Sequence, residues 1–365
     1  MDDRYIDLER LHGENGARLA AESHSAAISR IERIVCEEQI DCDFERVDGY
    51  LFVPPGEPSD ILDRKMAAAQ HAGLTDVHMV ARAPITSFDT GRTLCFPGQA
   101  QFHPLKYLAA FAQAIVRDGG RIYTGTHAVK IEGGESARIE TRDGQTVTSE
   151  AVVVATNTPV NDLLAIHTKQ AAYRTFVIGA TVPAGSINKG LYWDASDPYH
   201  YVRLSRSSWA ASDVLIVGGE DHRTGQNDDA ENRYVKLEEW ARVRFPMMTE
   251  IVFRWSGQVM QPFDGLAFIG RNPMDEPNVY IATGDSGNGM THGTIAGMLL
   301  TDLIQGRDNA WSTLYEPSRK TLGALNTFTK ETLNLAAQYV DWVTPGTSRT
   351  MYGFPRAPAL WSAAV

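Results

Sequence analysis

Apolar positions recur at helical spacing across residues 4–40, with Ile28, Ile31, Ile34 and Val35 on one face and a break expected near Gly13 and Gly16. Residues 44–53 have the β-rich composition of a strand, ended by Pro54-Pro55-Gly56, and residues 60–71 return to a helical period. A short strand is expected at 76–81. Residues 93–103 contain Pro97 and Gly98 and read as irregular, whereas Leu105, Leu108, Phe111, Ile115 and Val116 mark an amphipathic helix that Gly119-Gly120 stops. His103 stands at the entrance of that helix, where an imidazole serves either local backbone groups or a pocket.

Three β-like runs follow at 121–125, 127–131 and 137–141, with Asp143-Gly144 as a hairpin turn. Residues 151–155 are uninterruptedly apolar, as in a strand buried on both faces of a parallel sheet. They run into Thr156-Asn157-Thr158-Pro159, small residues at the carboxyl end of a strand, where open α/β sheets place ligands. From 170 to 254 the pattern changes to long strands at 173–182, 199–205 and 214–219, which predict an antiparallel second domain. Tyr192, Trp193, Tyr199, Tyr201 and Trp209 either line an aromatic pocket or fill a core. A charged helix is expected at 228–245, stopped by Pro246. Arg254, beside Trp255, is either a carboxylate clamp or half of a surface salt bridge.

Residues 278–303 combine a short strand, a glycine-dense turn and a helix in direct succession. Such a helix start presents free N–H groups and a partial positive charge. Gly284, Gly287 and Gly289 permit positive φ and close approach of a ligand, while Gly289, Gly293 and Gly297 leave one helix face without side chains. A helical run from about 322 ends at Thr344-Pro345-Gly346, and the aperiodic residues beyond are expected to pack poorly.

Composition narrows the function. At 365 residues with 43% hydrophobic and 22% charged positions, the chain can build two sizeable cores. A formal charge of −11 opposes nucleic acid and anionic membrane surfaces, which leaves small molecules as the expected ligands. Cys36, Cys42 and Cys95 form no C-x-x-C pair, so neither a disulfide framework nor a cysteine metal site is expected, and a reducing cytoplasm fits.

Several motifs in order carry a resemblance. Gly119-Gly120-Arg121-Ile122-Tyr123 with Val129, the run Val152-Val153-Val154-Ala155-Thr156-Asn157, the turn Pro262-x-Asp264-Gly265 before Ile269-Gly270, and Gly287-x-Gly289-Met290-Thr291 together resemble the D-amino-acid oxidase-like FAD-dependent oxidoreductase family. The resemblance spans nearly the whole chain. Gln99-Ala100-Gln101-Phe102-His103-Pro104 and Gly218-Gly219-Glu220-Asp221-His222 are similar to a bacterial branch that often carries a C-terminal Rieske domain, but the sequence has no C-x-H or C-x-x-H pair and no iron–sulfur cluster is expected.

The resemblance implies a mixed α/β fold, with a Rossmann-like FAD-binding domain at 1–40, 97–165 and 255–342, an inserted, mostly antiparallel substrate domain at 41–96 and 166–254, and a tail at 343–365. It implies that the Val129 backbone meets the adenine. Ala155, Thr156 and Asn157 would approach the middle of the cofactor, and Gly284, Gly287, Asn288, Gly289, Met290 and Thr291 would lie under the flavin. Arg254 would hold a substrate carboxylate, Tyr201 and His103 would line the pocket, and His292 would lie near the ring. The implied reaction is hydride transfer to flavin from a C–H beside the nitrogen of an amine or amino-acid-like substrate. The family's first strand-turn-helix, with its G-x-G-x-x-G, has no match here, so the first βαβ is expected to be lacking and FAD binding to be weak or absent. A non-catalytic, flavoprotein-like remnant is the competing expectation.

Overall fold

The helical pattern that begins the chain becomes α1 (Tyr5–Glu37), interrupted at Gly13, whose φ of 73° and ψ of 172° bend it where a break is expected. The computed structural model describes residues 4–320 except 55, 57, 59, 159, 161–165, 207–210 and 225–228. The helix expected from 322, the tail and Trp209 lie outside them. After α1 come β1 (Glu45–Phe52), α2 (Asp60–His71), β2 (His78–Val80), β3 (Thr93–Gln101) and α3 (Pro104–Arg117). A small antiparallel sheet follows, made of β4 (Ala128–Glu132), β5 (Ala137–Thr141) and β6 (Thr146–Ser149), and then β7 (Val152–Val154). The long strands are β8 (Gln170–Pro183), β9 (Leu191–Asp194), β10 (His200–Arg206) and β11 (Ser212–Arg223), followed by α4 (Ala230–Arg244) and β12 (Ile251–Pro262). The chain closes through β13 (Phe268–Arg271), β14 (Val279–Thr283), α5 (Gly289–Ile304) and α6 (Ser312–Tyr315).

Eight strands form one sheet in the order β12-β8-β11-β10-β9-β1-β3-β2. Its neighbours are antiparallel except β1 and β9. Residues along a strand alternate between faces. Phe176, Ile178, Val202, Leu204, Leu215 and Val217 therefore bury one face against Leu237 and Ala241 of α4. The sheet takes in all of β3 and β12, which run across the expected domain boundaries at 97 and 255. A second core joins α1, α2 and α5, with Leu8, Ala20, Leu62, Ile295 and Leu299 at its centre. Beside it, β14 pairs in parallel with β7 and antiparallel with β13.

Four expectations change. Residues 93–101 are a strand, because β1 and β2 pair with them from either side and the register shift opposite Gly49 absorbs Pro97 and Gly98. The apolar stripe of α3 faces outward: Leu105, Leu108, Ile115 and Val116 are exposed, and the helix packs instead through Tyr107, Ala110, Phe111 and Ala114. Residues 121–125 form no strand, and Ile122 and Tyr123 are exposed. Finally, β7 is shorter than expected and is not buried on both faces. Among the described residues β14 is its only partner, and Val153 is 42% exposed.

A buried ion pair ties the turn after β12 to the rest. Arg319 donates from Nε to Asp264 Oδ2 at 2.8 Å and from Nη2 to Oδ1 at 2.9 Å, and Nη1 donates to the Ala267 carbonyl at 2.8 Å. His12 of α1 meets the Asp264 carbonyl at 2.9 Å. No helix among the described residues is long and apolar enough to cross a membrane.

Candidate active site

On β10, alternation turns Tyr201 and Arg203 away from α4, together with Thr175 of β8 and Gln261 of β12. These residues line a cavity of about 990 Å³. The same cavity is bordered by Arg4 just before α1, by His24 and Ile28 of α1, by Ser286, Gly287 and Asn288 of the glycine turn and by Thr291 at the start of α5. Gly218 makes room for Tyr201, since a Cβ there would stand 2.1 Å from the Tyr201 Cζ. Burial, and then the nearby Asp221 carboxylate, push the Tyr201 hydroxyl up to about 12, so it remains a neutral hydrogen-bond donor at pH 7. Arg203 is held below the usual guanidinium range by burial, and its guanidinium makes no hydrogen bond or ion pair among the described residues.

Several polar atoms around this cavity are buried without partners: Nδ1 and Nε2 of His24, Nε1 of Trp193 and Oδ1 of Asp221. An unpaired buried polar group costs about 1–3 kcal/mol. Their gathering on one cavity is the pattern of a surface shaped for a polar ligand.

The turn from β14 into α5 takes positive φ at Gly284 (74°), Ser286 (52°) and Gly287 (79°). A Cβ on Gly284 would meet Pro262 Cγ at 2.6 Å, so that glycine serves close packing. A Cβ on Gly287, Gly293 or Gly297 would meet nothing within 4 Å, and the glycine face of α5 is exposed. Gly289 itself is not at positive φ. Asn288 makes no side-chain cap, which leaves the N–H groups of the first turn of α5 available. These residues border a second cavity of about 370 Å³, lined by Gly287, Asn288, Gly289, Met290 and Thr291 over an apolar floor of Ile28, Ile31 and Phe102.

The other expected site residues lie elsewhere. Arg254 points to the α4 face of the sheet, where it pairs with Glu238 at 3.0 Å and stands over the Tyr234 ring, so the strand period carries it away from Tyr201. His103 caps α3, its Nδ1 accepting from the Lys106 N–H at 3.3 Å, and lines neither cavity. Val129 is 56% exposed on β4. Ala155, Thr156 and Asn157 are exposed beyond β7, with the Asn157 carbonyl accepting from Thr283 Oγ1. His292 is buried behind His24 rather than in the cavity wall; its Nδ1 meets the Asp285 carbonyl at 2.8 Å, and burial lowers its pKa to about 4. Of the expected aromatic group, Trp193, Tyr199 and Tyr201 line the large cavity, whereas Tyr192 also stacks on Tyr50 in the core. Sequence reasoning missed His24, Arg203 and Asp221. Alternation with Tyr201 could have found Arg203, but nothing local distinguishes His24 from a core histidine.

A sequence model of the FAD dependent oxidoreductase family (DAO) matches residues 7–303. A putative Rieske 2Fe-2S iron-sulfur protein of Bacillus subtilis is 30% identical over 316 residues, which are 86% of this chain and 61% of the relative, so the chain spans about three fifths of that protein's length. Gamma-glutamylputrescine oxidoreductase of Escherichia coli is 28% identical over 83% of this chain and 72% of its own. Among solved structures, glycine oxidase from Geobacillus kaustophilus superposes with a TM-score of 0.68 at 19% identity, covering 83% of this chain and 82% of that one. The likeness in fold thus extends well beyond the likeness in sequence.

Proposed function

Because the chain belongs to the FAD-dependent oxidoreductase family (DAO), we propose that it oxidises a carbon–nitrogen bond of an amine or amino-acid-like small molecule in the cavity between its large sheet and its glycine turn. The observation that carries this reading is the uncapped start of α5 beside that cavity. The gamma-glutamylputrescine oxidoreductase and glycine oxidase likenesses favour an amine or amino acid as substrate. The residues present fit a flavin: Gly287 leaves space that a Cβ would fill, the first-turn N–H groups of α5 are free for an electron-rich edge, and Ile28, Ile31 and Phe102 offer an apolar floor. FAD, when bound, supplies the two-electron acceptor for a hydride leaving the carbon beside the substrate nitrogen.

The chain's own residues bind and orient. Arg203 is placed to take a substrate carboxylate, and the neutral Tyr201 hydroxyl donates a hydrogen bond at the same wall. Trp193 and Tyr199 exclude water from the polar end. We propose that 1–40, 97–165 and 255–342 belong to an FAD-binding domain and 41–96 and 166–254 to a substrate domain, with β3 and β12 shared across the boundaries and residues 321–342 outside the described part. The test is a titration of purified protein with FAD followed by anaerobic addition of amines and amino acids. Saturable flavin binding and substrate-dependent bleaching of the flavin absorbance are expected; flavin that binds but is bleached by no amine or amino acid would sink the substrate reading.

A further inference from the structure

Arg203 brings to the large cavity a guanidinium with no acceptor among the described residues. The three carboxylates among the described lining residues are engaged elsewhere. Asp60 pairs with Arg64 at 3.8 Å, Asp194 accepts from the His200 N–H at 2.8 Å and meets His200 Nδ1 at 3.1 Å, and Asp221 feels the charge of Arg4. Trp193 adds a second donor, because its Nε1 is buried without a hydrogen-bond partner and an indole N–H only donates. Its ring leans over Gly49, where a Cβ would stand 2.9 Å from Cζ3. Gly49 is level with Leu191 in the ladder, and Leu191 is level with Arg203, one step beyond the pair of Val202 and Tyr192. One guanidinium balances one negative charge, and with a neutral N–H at the same level of the wall it suits a carboxylate.

Strand register sets this level apart from the glycine turn. The Ser286 N–H donates to the Met260 carbonyl at 3.0 Å, and Met260 of β12 pairs with Ala172 of β8. Arg203 pairs with Ile216, which pairs with Gly179, also of β8. Ala172 and Gly179 are seven residues apart, roughly 20 Å of strand. Three strand spacings, roughly 14 Å, also separate β10 from β12. Tyr201, level with Val177, stands between the two ends. An arginine side chain is much shorter than this separation.

We infer that Arg203, with Trp193 Nε1, holds a substrate carboxylate several bonds away from the carbon that is oxidised, so that the preferred substrate is an amine with a distal carboxylate, of the ω-amino acid class. The inference rests on the reading that oxidation takes place beside the glycine turn. The carboxylate of an α-amino acid is bonded directly to the carbon that loses the hydride, so it does not reach Arg203 while that carbon is beside the turn. A flavin on the turn takes up part of the span, and what is left still exceeds one carbon–carbon bond. A distal carboxylate bridges it, and with both ends held the chain between them is oriented for reaction. The volume of about 990 Å³ leaves room for such an extended substrate.

The experiment is calorimetric titration of the purified chain, with and without FAD, using glycine, 4-aminobutanoate, 6-aminohexanoate and n-hexylamine as probes. Wild type, Arg203→Gln and Arg203→Lys are compared, with thermal melts to establish folding. Affinity is expected to rise at least tenfold from glycine to 6-aminohexanoate, which should also bind at least tenfold more tightly than n-hexylamine. Arg203→Gln should bring 6-aminohexanoate down to the level of n-hexylamine, and Arg203→Lys should retain part of the difference. Glycine binding as tightly as the longer probes, no binding of either ω-amino acid, or 6-aminohexanoate affinity within twofold of wild type in a folded Arg203→Gln protein, would overturn the assignment. Oxidation of α-amino acids with no preference for length would keep the oxidoreductase reading and remove this one. Length-dependent binding through Arg203 in a chain that takes up no flavin would instead remove the oxidoreductase reading and leave the carboxylate site standing.

Discussion

The imidazole rings of His24 and His292 meet edge to face, with centroids 4.8 Å apart and planes at 77°. One comes from α1 and the other from α5, so the contact joins the opening helix to the helix after the glycine turn. Burial lowers both pKa values, that of His292 to about 4 and that of His24 well below its usual range. Both rings are therefore neutral in the folded protein at pH 7.

This pair sets an acid limit on stability. Above pH ~6.5 the histidines are neutral in folded and unfolded chains alike, and the full stability is present. Between about 6.5 and 4 the unfolded chain takes up protons that the folded chain refuses, so stability falls as pH falls, by as much as ~3 kcal/mol from His292. Urea unfolding at pH 7 and pH 5 measures the loss. His292→Phe should shrink the difference between the two; an unchanged difference would show that other groups govern acid unfolding.

Arg203 and Arg254 should separate cleanly. Arg203→Ala removes a charge from the cavity and is expected to raise KM for a carboxylate-bearing substrate roughly tenfold or more, the equivalent of ~1.5–3 kcal/mol. Arg254→Ala breaks a surface pair with Glu238 and should change stability by less than ~1 kcal/mol and KM hardly at all. The reverse ranking in steady-state kinetics would restore Arg254 as the clamp.

Gly218→Val should displace Tyr201, since a Cβ at 218 would overlap the ring. The expected cost is ~1–3 kcal/mol of stability. Affinity for an amine or amino-acid substrate should fall with it, read by calorimetry. Retained affinity and stability together would mean that the ring has an alternative place.

Gly289→Leu separates cofactor contact from packing. The glycine face of α5 is exposed, and a Cβ at 289 would meet the Asp285 carboxylate, with Oδ2 at 2.8 Å. A small change in melting temperature is expected, with a large loss of FAD affinity in a fluorescence titration. Unchanged FAD affinity would remove the flavin from this turn.

Arg319→Ala leaves Asp264 charged and buried, because the side chains of the pair are only 9% and 6% exposed. A loss of ~3–5 kcal/mol is expected in chemical denaturation. A loss below ~1 kcal/mol would mean that solvent reaches the turn.

The sequence by itself determined the elements whose signals are local. Gly13 breaks α1 because it takes a backbone conformation that other residues avoid; Asp60–His71 and Ala137–Thr141 follow their periods; and the strand, glycine turn and helix at 278–303 are legible because each uses its own residue types. The ordered motifs carried the family and its α/β fold. Tertiary structure decided which face each element shows. The outward stripe of α3 and the partly exposed β7 depend on what packs against them, and a hydrophobic period says only that a face is apolar. Thr93–Gln101 became a strand because two neighbours supplied hydrogen bonds that outweigh its Pro and Gly. The site depended on the structure most. His24, Arg203, Asp221 and the glycine turn are far apart in sequence and meet around one cavity only when the sheet and two helices close on it, whereas Arg254, matched by composition, is set on the other face by one step of strand alternation.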